Sequence, residues 1–266
     1  MKIAVINFSG NVGKTTVARH LLLPRIAGAE LIAVESLNAD VGGGGGGGGG
    51  GSQSPHALPA LRGSQFGELQ EYLQTVDNVV VDIGASNVEE LLALMHKYRG
   101  SHEDFDCFVV PTVAALKQQQ DTIATLAELA RLGVPPSRLK LVFNMVEDGA
   151  DVAQLFDTLL DFIDQHPLAQ VNTACRMGAN EIYERLKSTC LINGKGTDLL
   201  ALARDHTDYK ELIVQSQGTP EKLALAQKLA SRRLACGVVP ELDACFAALA
   251  LSVTTDAPQQ AQGTKA

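Results

Sequence analysis

The sequence predicts an α/β fold, with a doubly wound, mostly parallel sheet followed by a helical C-terminal part. Three observations carry that expectation. Five short runs are nearly continuous in apolar, β-branched residues, the pattern of strands buried on both faces. Segments of helical period separate them, and such alternation winds helices over both faces of one sheet. The first run and the first helical segment are joined by a glycine-containing turn, FSGNVGKTT from Phe8 to Thr16, at the carboxyl end of a strand, where sheets of this class hold their ligands.

Taken in order, KIAVINF (Lys2 to Phe8) is the first strand, and Thr15 to Leu22 the first helix, ended by Pro24. LIAVES (Leu31 to Ser36) is the second strand. After it comes a run of ten glycines, Gly42 to Gly51, followed by Ser52, Gln53, Ser54 and Pro55. Glycine loses more backbone freedom on ordering than any other residue, so 42–55 reads as a mobile or engineered loop, with a natural low-complexity tract as the other reading. Phe66 to Val76 is helical, NVVVD (Asn78 to Asp82) a strand and Val88 to Tyr98 helical again. FDCFVVP (Phe105 to Pro111) leads to a helix at Leu116 to Leu132, stopped by Gly133 and the Pro135, Pro136 pair. In that helix Leu116, Ile123, Leu126 and Leu129 form an apolar stripe for covering a sheet. LKLVFN (Leu139 to Asn144) is the fifth strand.

From about residue 151 helices dominate: Asp151 to Gln165, Glu181 to Lys187, Leu199 to Arg204, Thr219 to Cys236 and Leu242 to Val253. The tail from Thr254 to Ala266, rich in Gln, Thr and Gly, reads as disordered. We assign 1–253 to one domain, and no internal repeat is visible.

Composition narrows the function. The chain has 266 residues, 45% of them hydrophobic, and a net charge of -8, which argues against a surface that holds nucleic acid by phosphate neutralisation alone. Five cysteines (Cys107, Cys175, Cys190, Cys236, Cys245) are scattered without CxxC or Cys/His metal spacing, and read as reduced thiols. The six histidines show no metal-like spacing either. No segment approaches the roughly 18 consecutive apolar residues of a membrane span, so a soluble protein is expected.

The turn carries the chemistry. The pattern GxxxxGK[ST] requires glycine where Phe8 stands, yet Gly13, Lys14, Thr15 and Thr16 are in place between strand and helix. Backbone N–H groups of Gly10, Asn11, Val12, Gly13 and the residues up to Thr16 are expected to line a concavity that favours phosphate. Lys14 then bridges β and γ phosphates, Thr15 offers its hydroxyl to Mg²⁺ and Thr16 meets the α phosphate. Asn11 enters left-handed backbone more easily than most residues with a side chain, so the turn survives a non-glycine there. Asp82 ends VVVD ahead of Ile83, Gly84, Ala85 and Ser86, as a carboxylate reaching Mg²⁺ through water would. The plainer readings are an ordinary strand-to-helix turn and an Asp that caps the next helix.

These residues resemble the ParA/MinD family of P-loop ATPases, the deviant Walker A group. Its loop reads KGGxGKT[ST], matched here by Ser9 to Thr16. The resemblance covers roughly Met1 to Val146, including FVVP before a long helix and FNMV at the fifth strand. In overall run the chain is most similar to StbB-type plasmid stability proteins.

The resemblance implies an ATP- or ADP-binding switch with Mg²⁺. It further implies a role in plasmid stability, partition or positioning, a small DNA-binding adaptor as partner and a nucleotide-dependent homodimer. It implies a cytoplasmic protein, with nucleoid or plasmid association where DNA is bound.

Two departures stand out. Ser9 occupies the place of the family's signature lysine, and losing a cation at a transferring phosphate costs several orders of magnitude in rate. After the second strand the family has an acidic stretch that orients water. Here Glu35 is a match for its start, while Asn38 and Asp40 serve only through a shift of the loop backbone. The family also places an adenine-reading Asn where Asn144 stands, and a turn-forming Asn after a strand is the equal alternative.

The helix around Lys222, Lys228, Arg232 and Arg233 is the candidate DNA-binding patch, against the plainer reading of a solvated face. LDACFAALALSV lacks the basic face that membrane binding needs and reads as a core-packing helix. Two other classes remain open: a P-loop small-molecule kinase, with Arg176, Arg185 and Lys187 as lid cations, and a non-hydrolysing pseudo-ATPase that serves as an interaction surface.

Overall fold

The alternation along the N-terminal half builds one sheet. The computed structural model describes residues 1–35, 57–59, 63–186 and 198–251. Its strands are β1 (Lys2–Val5), β2 (Glu30–Glu35), β3 (Ala57–Pro59), β4 (Val79–Ile83), β5 (Cys107–Thr112), β6 (Leu139–Asn144) and β7 (Arg176–Met177). They lie in the order β3-β2-β4-β1-β5-β6-β7, and every pairing is parallel. The five expected strands are present. The two additional ones, three and two residues long at the two edges, fall below the length at which alternation can be read.

The helices are α1 (Lys14–Thr16), α2 (Gly63–Thr75), α3 (Val88–Lys97), α4 (Leu116–Arg131), α5 (Val152–Leu155), α6 (Asp157–Gln165), α7 (described over 181–186), α8 (Leu199–Ala203), α9 (Tyr209–Gln215) and α10 (Thr219–Leu249). α1 continues as a π-helical stretch, Val17–Leu22, and a 3-10 turn, Leu23–Arg25, that contains Pro24. Side chains alternate along β1: Ala4 and Ile6 enter one core with residues of α2, α3, α4 and α6. Ile3 and Val5 enter the other, with the π-helical stretch, α7, α8 and α10. Helices therefore cover both faces, the doubly wound arrangement the periodicity predicts.

Three details depart from expectation. The break expected between Cys236 and Leu242 is absent, and α10 runs through Pro240 without interruption. Proline inside a helix costs about 3 kcal/mol. Ala235, Val238, Leu242, Cys245 and Leu249, spaced by three and four, form a buried seam across it, and each large side chain returns roughly 1.5–3 kcal/mol on burial. Leu116 is 56% exposed rather than part of the stripe on α4. Gln119, Thr122 and Thr125 are buried with Leu126 and Leu129 instead. The helix expected from Asp151 to Gln165 is split at Phe156, a fully buried ring set edge-on to Phe143 at 4.8 Å.

Asn38, Asp40, the glycine run, Lys187 and the tail from 252 lie outside the described residues. Among the described residues, no helix is long and apolar enough to cross a membrane.

Phe156 ties the split helices to β6. Phe156→Ala is expected to cost about 3–5 kcal/mol of stability, read from the urea midpoint at unchanged slope.

Candidate functional site

The turn after β1 is rooted by a buried amide. Asn7 donates through Nδ2 to the Pro111 carbonyl at 2.9 Å and to Thr122 Oγ1 at 2.8 Å, while its Oδ1 accepts the Ser9 N–H at 2.8 Å. The Phe8 N–H donates to Thr125 Oγ1 at 3.1 Å. The end of β5 and the inner face of α4 thus hold the loop at its start, which explains why polar residues are buried on that helix. The turn passes through left-handed backbone at Asn11 (φ 57) and Gly13 (φ 86), so Asn11 adopts the conformation its side-chain chemistry permits. A Cβ on Gly10 would meet no atom within 4 Å and would project into open space.

Lys14 closes the loop from inside. It is 8% exposed, and its Nζ donates to the carbonyls of Asn7 at 3.1 Å and Ser9 at 2.6 Å. An ammonium carries three donors, so one remains for another acceptor. Burial lowers the Lys14 pKa to about 8, against the opposing pull of Asp82. Among the described residues, the N–H groups from Gly10 to Thr16 meet no acceptor, and the series resumes with Val17 donating to the Gly13 carbonyl at 2.9 Å. Unpaired N–H donors beside the Lys14 ammonium make a hollow that can take an anion.

Beside it stands the only carboxylate at the end of β4. The register places Asp82 opposite Val5, and Thr15 Oγ1 donates to Asp82 Oδ2 at 2.7 Å. The chain then turns through Gly84, whose N–H donates to the Val34 carbonyl at 2.9 Å. Gly84 and Ala85 face the loop across a cleft of about 1360 Å³, which Gly10, Asn11, Thr15 and Thr16 also line.

Asn144 has a more definite place than either reading of its sequence context supplies. Its Nδ2 donates to the Val12 carbonyl at 2.9 Å, and its Oδ1 accepts the Met145 N–H at 2.9 Å. The amide braces β6 against the anion loop. It lies so close that a Cβ on Gly13 would stand 2.0 Å from Nδ2. Glycine at 13 is thus demanded both by φ and by contact.

Comparison with known proteins adds the following. No family profile matches the chain, and no curated protein does either. Among solved structures it is similar to an ATP complex of an McdA variant from Cyanothece, at 15% identity and a TM-score of 0.45, covering 90% of this chain and 97% of that one. It is also similar to apo McdA, at 14% identity and a TM-score of 0.47, covering 86% and 98%.

The remaining candidates divide. Ser9 is buried and offers nothing that reaches outward. Of the basic residues on α10, Lys222, Lys228 and Arg233 are exposed, whereas Arg232 is spent within the fold. Its Nη1 donates to the carbonyls of Asp205 and Thr207, and its guanidinium lies 5.3 Å from the centre of the Tyr209 ring. Arg232 therefore leaves the candidate DNA patch.

Arg176 and Arg185 do not line the cleft, which receives Glu181 and Glu184 from that segment instead. Arg185 pairs with Glu181 at 3.6 Å. The structure also draws in residues that the motif alone does not signal: Asn7 at the root, and Gly178 to Asn180 after β7. Asn7 reads as the last polar residue of a strand, and the β7 turn follows a strand too short to recognise.

The contact between Gly13 and Asn144 is testable. Gly13→Ala is expected to destabilise by at least about 1–2 kcal/mol from left-handed backbone alone, with the clash added. Asn144→Ala in the same chain should return the clash but not the backbone cost, giving a coupling of about 0.5–3 kcal/mol in a double-mutant cycle by urea denaturation.

Proposed function

We propose that this chain is a nucleotide-dependent switch of the ParA type, binding ATP and ADP with Mg²⁺ and acting with a small DNA-binding adaptor in plasmid stability, partition or positioning. One observation carries the nucleotide reading: unpaired N–H groups from Gly10 to Thr16 surround a hollow closed by the Lys14 ammonium. The adaptor and the plasmid role rest on the sequence resemblance.

In this reading the loop amides bind the β phosphate, and the third Lys14 donor reaches between β and γ oxygens. Thr15 and Asp82 suit Mg²⁺, which prefers a few oxygen ligands and completes its shell with water and substrate phosphates. Among the described residues no group of three His, Cys, Asp or Glu side chains could hold a metal ion. Held by Thr15 and Asp82, Mg²⁺ would supply charge neutralisation to the phosphates. Asn11 stands at the outer lip, and Gly84 and Ala85 face the terminal phosphate.

Hydrolysis is expected to be slow, because Ser9 supplies no cation. The water-orienting roles proposed for Asn38 and Asp40 rest on the sequence. Lys222, Lys228 and Arg233 remain the candidate DNA contacts. An arginine lid of the kinase type is disfavoured by the carboxylates that line the cleft beyond β7.

Titration with ATP and ADP, in Mg²⁺ and in EDTA, tests the proposal. Binding strengthened by Mg²⁺, with association of two chains on ATP but not ADP, is the expected result. No measurable affinity would leave the pseudo-ATPase, and ADP formation only with an added acceptor would leave the kinase.

Proton linkage gives a second check. A phosphate beside Lys14 raises its pKa, so above about pH 8 binding must take up a proton. The association constant should therefore be nearly flat below about pH 7, begin to fall through about pH 8 and then approach about tenfold per pH unit. Lys14→Met should lose most of the affinity and, with it, this slope.

A further inference from the structure

Part of the cleft wall is a turn that its own strand is too short to hold. β7 has two residues and one neighbour, β6, and the pairing ends where the Val146 N–H donates to the Met177 carbonyl at 3.0 Å. Gly178, Ala179 and Asn180 follow and line the cleft together with Asn144 and Met145. So short a ladder fixes one end of the turn and leaves its further course open.

The missing anchor comes from α10. Glu241 Oε1 accepts the Gly178 N–H, and a carboxylate acceptor makes such a bond roughly twice as strong as a neutral one. The fit is close: a Cβ on Gly178 would stand 3.3 Å from that oxygen and 3.5 Å from the Val146 carbonyl. Glu241 can act as an anchor because its own helix is fixed on either side of it. Val238 and Leu242 are buried, and Arg25 donates through Nε to Asp243 Oδ1 at 2.9 Å. The same guanidinium donates through Nη1 to the carbonyls of His20 at 2.8 Å and Leu21 at 3.2 Å, in the helical stretch that continues α1. α10 thus ties the helix behind the phosphate loop to the turn after β7.

The order of the strands decides which end of a ligand meets that turn. Asp82 and Gly84 stand at the end of β4 on one side of β1, whereas Asn144 and the 178–180 turn stand at the ends of β6 and β7 on the other. With metal and terminal phosphate on the β4 side, the nucleoside lies on the β7 side. Among the described residues the N–H groups of Ala179 and Asn180 meet no acceptor, so these donors remain for it.

We propose that Glu241 is a positioning residue for the nucleoside end of the ligand: by holding the Gly178 N–H it sets the place of the 178–180 turn relative to the phosphate loop. The proposal rests on the nucleotide reading above. Glu241 itself does not line the cleft and takes no part in phosphate chemistry. What it supplies is a preformed wall, which lowers the ordering cost that a nucleotide meets on binding.

The test uses the full chain with Mg²⁺ and two probes of equal phosphate number, ATP and inorganic tripolyphosphate, whose affinity ratio isolates what the nucleoside contributes. Wild type, Glu241→Ala, Glu241→Gln and Gly178→Ala are titrated calorimetrically, and their thermal midpoints are measured without ligand. Glu241→Ala should lower the ratio by about tenfold and leave tripolyphosphate as in wild type. Glu241→Gln keeps an oxygen that accepts the Gly178 N–H and should restore most of the ratio. Gly178→Ala crowds the same contact from the turn and should lower the ratio too, which keeps the proposal testable if Glu241→Ala folds poorly.

An unchanged ratio in Glu241→Ala would overturn the positioning role while leaving the switch reading intact. A lowered midpoint with equal losses for ATP and tripolyphosphate would mark a merely structural carboxylate and overturn it as well. Wild type that binds tripolyphosphate as tightly as ATP would keep the phosphate loop and remove the nucleoside wall, and wild type that binds neither would overturn both readings.

Discussion

A single ammonium, taken out of water and held by the carbonyls of Asn7 and Ser9, organises the carboxyl end of this sheet. Lys14 gains two hydrogen bonds there and loses much of its solvent. Such an arrangement persists only if the carbonyls are themselves held in place. That rigidity comes from Asn7, whose amide is fixed by Pro111 and Thr122, and from Asn144, which fixes the far side of the turn at Val12. The loop is therefore anchored at three points by β5, α4 and β6, and its free N–H groups are left facing the cleft. Asp82 completes the balance by placing one negative charge near one positive charge.

Much of this was legible. Runs such as KIAVINF and NVVVD announce buried parallel strands because apolar residues fill both faces along most of their length. Gly13-Lys14-Thr15-Thr16 between a strand and a helix marks the candidate phosphate loop from the backbone outward. The π-helical stretch after it was not legible, and we have no physical account of why Val17 to Leu22 widens.

Other features escaped because their cause is tertiary. The α4 stripe of Leu116, Ile123, Leu126 and Leu129 is only partly realised: Leu116 faces solvent while Gln119, Thr122 and Thr125 are buried to meet Asn7, Phe8 and the chain around Leu159. A helix break is expected between Cys236 and Leu242, since local propensity cannot report the seam that carries α10 past Pro240. By sequence Arg232 belongs with three other cations of one helix, whereas in the fold Asp205, Thr207 and Tyr209 engage it. In each case periodicity and composition describe an isolated segment correctly, and a neighbour remote in sequence changes the outcome.

The position of β1 bears on how the chain acquires this centre. Although it precedes the other described strands in sequence, it is an interior strand, paired on one side with Val79 to Asp82 and on the other with Cys107 to Val109. Non-local pairings of this kind form only after a large entropy of chain closure has been overcome. During synthesis the opening segment, with its lysine and glycines, must wait in an unpaired state until roughly the first five strands have emerged. The shaped loop is thus a late event in the life of the polypeptide, and premature termination before Asn144 yields a product that has the whole sequence motif but no brace to give it shape.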